Sequence, residues 1–183
     1  LQKAVLEGLA RRCHQLVFCN DVFEAGNYHP IPVPPLATSY QNIIHAPGEC
    51  VLGLEGFELA VSSHLYSSLA GGLFKKLPKE LAGDNATEVR TVVEEVLLAR
   101  HLFPGVHPAA PVDPLRAYPL FLPRLPRLFL FSDALTAPFA IKREGVVLVN
   151  LHPALASNGG GFATLSVQSG AEPDVCVNVY APA

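Results

Sequence analysis

Methionine is absent from all 183 residues, and the chain opens on Leu1. Such a sequence cannot begin at its own initiation codon, so it is expected to be a processed product or a piece of a longer polypeptide. Charge is scarce as well: 13 lysines and arginines face 16 aspartates and glutamates, a formal net charge of -3, with no long block of either sign. Neutralising phosphates takes a clustered basic face. The densest basic groups here, Arg11-Arg12, Lys75-Lys76 and Arg124 with Arg127, are two residues strong and read as solvated faces. Nucleic acid is therefore not expected as a partner.

Targeting and membrane signals are missing in the same way. Residues 1 to 16 have no compact apolar core followed by a small-residue cleavage site, so they do not resemble a signal peptide. The most apolar stretch, Tyr118 to Ala140, is broken by Pro119, Pro123, Pro126 and Pro138 and carries Arg124, Arg127 and Asp133. That composition excludes a membrane span. Neither an internal repeat nor a low-complexity tract is visible.

Motifs that would announce chemistry are also wanting. No Gly-x-Ser-x-Gly elbow is present, and the Ser63-His64 pair reads as a polar stripe on a helix. Glu94-Glu95 point about 100° apart on a helix and do not share a site; their spacing to Arg90 and Arg100 suggests surface ion pairing. Asn158-Gly159-Gly160-Gly161 is the one glycine cluster that could cradle an anion, but it leads into a strand, where no helix dipole would assist. No Asp/Glu cluster has the spacing of a metal loop.

The four cysteines, Cys13, Cys19, Cys50 and Cys176, lack the tight knuckle of a zinc site, since Cys13 and Cys19 span a helix-to-strand junction. Buried small apolar residues are the expected role; an even count also permits disulfides. The sequon at Asn85-Ala86-Thr87 would suit the same oxidising context, but Asn85 also serves as a helix cap, with Glu88 three positions on. No metal or cofactor is expected, and no residue is assigned a catalytic role.

What is present is apolar. Half the residues are hydrophobic and 16% are charged, which lies far from disorder and suits one domain over 1–183 with room for two lobes. Such a surface also invites cover by a partner. Val5, Leu6, Leu9, Cys13 and Leu16 draw a helical stripe, and Leu16 to Cys19 a short strand ending at Asn20-Asp21. Residues 26 to 35 are too proline-rich for a helix or central strand and should run extended. Residues 57 to 74 read as helix, frayed at Gly71-Gly72. Residues 86 to 102 form the clearest helix, with Val89, Val92, Val93, Val96 and Leu97 facing the core and Pro104-Gly105 stopping it.

Seven prolines between Pro104 and Pro126 predict a long ordered crossing with Leu120, Phe121 and Leu122 tucked inward. Beyond it, Leu128 to Phe131 is a strand. Phe139 to Lys142 and Val146 to Leu151 form a hairpin turning on Arg143-Glu144-Gly145. Phe162 to Gln168 and Val175 to Tyr180 form another, with Val175, Val177 and Val179 on one face.

The expected fold is α+β: a mainly helical lobe over 1–103, then a mainly antiparallel sheet over 127–183, joined by the proline-rich crossing. The expected function is a non-enzymatic protein-interaction or assembly module of a larger protein, such as a shell, capsid or cell-surface component. Its partner would be a protein or another subunit. One alternative is an enzyme whose site gathers Asp21, His45, His64 and His152. The other is a carrier enclosing a small apolar ligand between the sheet and the Val89 to Leu97 helix.

Overall fold

The computed structural model describes residues 7–19, 40–54, 56–62, 85–102, 115, 118–133, 137–151, 161–168 and 174–180. Among them run nine strands and one long helix: β1 (Leu16–Cys19), β2 (Ile43–Ala46), β3 (Cys50–Leu54), β4 (Phe57–Ser62), α1 (Asn85–Leu98), β5 (Leu128–Phe131), β6 (Phe139–Arg143), β7 (Val146–Asn150), β8 (Phe162–Gln168) and β9 (Asp174–Tyr180). The expected helical first half is not found. Before residue 85 the described residues hold one helical turn, 7–10, and four strands.

The largest correction is β4. Phe57-Glu58-Leu59-Ala60-Val61-Ser62 has residues compatible with a helix, yet it is a strand near the middle of a five-stranded sheet ordered β3-β4-β5-β7-β6. A strand buried on both faces loses the alternation that marks strands, and its short apolar run then resembles a buried helix. Here Phe57, Leu59 and Val61 join one hydrophobic cluster and Ala60 the cluster on the opposite face.

The sheet is mixed rather than mainly antiparallel. β4, β5 and β7 are mutually parallel, and only the outer strands β3 and β6 run against them. It also crosses the expected boundary between lobes, because β4, from before residue 103, pairs directly with β5, from after it.

α1 covers one face. Val89, Val92, Val93, Val96 and Leu97 are all buried against Ala60, Phe129, Phe131, Val146 and Leu148, as the heptad-like spacing predicts. Each such side chain contributes about 1.5–3 kcal/mol through burial. The helix ends earlier than expected, at Leu98, by a local device and not at Pro104-Gly105. Arg100 takes a positive φ of 51°. Its amide donates to the Leu97 carbonyl at 3.0 Å, and the His101 amide donates to Val96 at 3.2 Å, the bonding of a Schellman turn.

The proline-rich crossing returns to the end of this helix. The Leu102 amide donates to the Leu120 carbonyl and the Leu122 amide to Arg100, both at 2.8 Å. Leu120 and Leu122 are buried as expected, but Phe121 points outward and meets His101 edge to face at 4.5 Å. The alternation of a two-residue period forces that split.

The other face of the sheet is covered by the β8–β9 hairpin. Ala163, Val175, Val177 and Val179 pack on Phe57, Leu59, Leu128 and Val149. The β6–β7 hairpin closes on Glu144 and Gly145, with φ of 50° and 80°, so both turn residues are left-handed. That geometry suits the twist of a two-residue hairpin loop. No helix among the described residues is long and apolar enough to cross a membrane.

Candidate functional site

In sheets with parallel strands, ligands gather at the carboxyl ends of those strands, where connecting loops diverge. Here that place is an open cavity of about 200 Å³ lined by Cys19, Gly48, Val61, Ser62, Leu130, Phe131, Ser132 and Leu151. Each parallel element contributes its last residues: β1 ends at Cys19, β4 at Ser62, β5 at Phe131, and Leu151 follows β7. The volume is below the range of about 300–1,000 Å³ usual for drug-sized ligands, and most of the lining is apolar.

Next to this cavity, two fully buried polar residues are engaged in holding the fold. Asn150 Oδ1 accepts from the Asp133 amide at 2.8 Å, while its Nδ2 donates to the carbonyls of Asp133 at 3.4 Å and Ala137 at 3.3 Å. One side chain thus satisfies three backbone groups where the chain leaves β5 and returns as β6. Neither residue stood out in the sequence, although a polar residue just past an apolar strand is the available signal.

A second feature is the thiol pair Cys19 and Cys50. β1 and β2 are parallel with Cys19 opposite Ala46, and the chain passes from Ala46 through Gly48 and Glu49 to Cys50, the first residue of β3. Hydrogen bonding with Cys50 holds the Cys19 thiol below its ordinary range, while hydrogen bonding with Cys19, burial and the nearby charges of Cys19 and Glu49 push Cys50 well above its own. All four cysteines are free, and the expectation that they are buried holds only for Cys50: Cys19 is half-buried, and Cys13 and Cys176 are exposed.

The residues singled out for an enzyme are not brought together by what is described. Asp21, His64 and His152 lie outside the described residues, as do residues 20–39 and the glycines at 159 and 160. His45 sits on β2 opposite Phe18 in the parallel register, and its side chain is not among those described. Among the described residues no three His, Cys, Asp or Glu side chains are placed to hold a metal ion.

Expected surface pairs are rearranged. Glu94 Oε1 accepts from Arg143 Nε at 3.1 Å across to the β6–β7 turn. Arg90, one turn before Glu94, instead lays its guanidinium over the Phe139 ring at 4.7 Å. Arg124 Nη2 donates to Glu58 at 2.8 Å and holds that carboxyl below the usual glutamate range.

The remaining candidate is a surface. The inward face of β8–β9 covers the sheet, but the outward face stacks Phe162 on Tyr180 at 4.7 Å between centroids, 61% and 45% exposed. Leu165 and Val167, on the opposite face shared with Ala163, are 38% and 41% exposed. β8 has no charged residue and no proline over its seven positions, and among the described residues β9 is its only partner strand. Neither a protein-family model nor a curated protein sequence matches this chain.

Proposed function

We propose that this chain is a non-enzymatic protein-interaction module of a larger assembly, and that an extended segment of a protein partner joins it along the outer edge of β8. The observation that carries the reading is the edge itself. Edge strands usually bear lysine, proline or a bulge to discourage pairing. Phe162-Ala163-Thr164-Leu165-Ser166-Val167-Gln168 carries neither lysine nor proline, and six of its seven residues are exposed. Main-chain hydrogen bonds would supply affinity, while Phe162, Leu165 and Val167 would select side chains of the added strand.

The stacked Phe162–Tyr180 pair supports the same surface, since aromatic residues concentrate at the energetic centres of interfaces. The engagement of Asn150 with backbone groups beside the strand-end cavity supports a structural role for that end of the sheet.

Amide hydrogen exchange tests the proposal. The full chain is compared alone and within its assembly from the native source. Slowed exchange in β8 within the assembly, reversed by a charge on the exposed face in Ser166→Lys, is the expected result. Equal exchange of β8 in both states overturns it.

A further inference from the structure

We propose that the strand joining the edge of β8 comes from a second copy of this chain, so that two β8 strands pair antiparallel about a two-fold axis at Leu165. The inference rests on β8 being a pairing edge, as proposed above, and adds the identity of what pairs with it.

The side chains of β8 complement their own reversed order. In an antiparallel pair centred on Leu165, every residue of Phe162-Ala163-Thr164-Leu165-Ser166-Val167-Gln168 finds a counterpart in the other copy. Leu165 meets Leu165, Ala163 meets Val167, Thr164 meets Ser166, and Phe162 meets Gln168 at either end. Because side chains alternate between faces, the axis brings apolar residues to apolar residues on the face of Ala163 and hydroxyls to hydroxyls on the other. Both kinds of cross-strand pair are favourable. Charge agrees, since β8 carries none and self-pairing sets no like charges opposite one another. The outer strand β6 is treated differently: it ends on exposed Lys142 and Arg143, which discourage pairing.

Solvent exposure points to the same partner. Leu165 and Val167 are 38% and 41% exposed, although Val177 and Val175, opposite them on β9, pack on the five-stranded sheet. A second β8 sets Leu165 beside its own counterpart and Val167 beside Ala163, so the apolar row that starts at Val177 continues through the axis into the other copy. Among the described residues β9 is the only strand beside β8, which leaves the opposite edge for this pairing. Both copies use the same edge, so the assembly closes as a dimer with one sheet ordered β9-β8-β8-β9. One strand pair is a small contact, and dimer and monomer therefore interconvert with concentration.

The test uses the full chain alone, followed by sedimentation equilibrium and amide exchange from dilute to concentrated solution. The expected result is a dimer that forms as concentration rises, with exchange in β8 slowing in step. Leu165→Lys and Leu165→Glu each set like charges at the axis and should weaken the dimer at least about fivefold, while an equimolar mixture of the two recovers it. If either variant does not fold, the exposed hydroxyl positions decide. Thr164→Glu with Ser166→Lys in one chain places opposite charges across the axis and should tighten the dimer, whereas Thr164→Lys with Ser166→Lys should weaken it. A dimer indifferent to both sets of charges overturns the proposal, because the copies then meet elsewhere. A chain that stays monomeric while β8 is slowed within the native assembly overturns it too and leaves the edge to a different protein. Fast exchange of β8 in every state, the assembly included, overturns this inference together with the edge reading beneath it.

Discussion

The five-stranded sheet and the β8–β9 hairpin are built from the same kinds of residue and put to opposite uses. In β5 and β7 nearly every side chain is buried, the odd and even positions entering different clusters on the two faces. In β8 the same alternation leaves six of seven residues exposed, because only Ala163 of this strand packs into the cluster on the sheet. Apolar strand sequence therefore makes core where it is sandwiched and a contact surface where it is not.

Phenylalanine gives the sharpest way to break that contrast. Phe129 is fully buried beneath α1, and Phe129→Ala should cost about 3–5 kcal/mol. Phe162→Ala, at 61% exposure, should cost at most about 0.5 kcal/mol. Urea unfolding of both variants would measure this, and equal losses would mean that the hairpin is as much core as the sheet.

Asparagine sharpens it for polar groups. Asn150→Ala strips partners from the backbone of Asp133 and Ala137 in a buried place and should cost about 2 kcal/mol. Asn178→Ala, on the exposed face of β9, should stay within about 0.5 kcal/mol by the same measurement.

Backbone shape comes next. Gly145 has a φ of 80° and open space where a β-carbon would stand, so Gly145→Ala carries a purely conformational cost of about 1 kcal/mol. A thermal melt would register that loss; a larger one would mean that the β6–β7 turn also packs against something.

The smallest effect belongs to the Arg124–Glu58 pair. Arg124 lowers the folded-state affinity of Glu58 for a proton, so its stabilisation is present above the ordinary glutamate pKa and is lost as pH falls through the folded value. Both groups reach solvent, which limits the gain. The midpoint difference between the parent and Glu58→Gln should be slight at neutral pH and vanish in acid.

Much of the local structure was legible. The Val89 to Leu97 stripe has a helical period, and the β6–β7 and β8–β9 hairpins combine alternation with a glycine turn or a neighbouring glycine. β4 was not legible, since burial on both faces erased its period, and with it went the helical first half. The strand-end cavity and the Cys19–Cys50 pair were invisible for a related reason. Their residues meet only through parallel pairings between distant segments, which leave no spacing to read.

By itself the sequence determined which segments would bury an apolar face and where the tight turns would fall, because periodicity and backbone preference act between near neighbours. Only the tertiary structure decided that the central strands run parallel, that both halves of the chain share one sheet, and that the ends of those strands border a cavity. Those outcomes depend on which faces meet, and that choice is made by packing the whole chain at once.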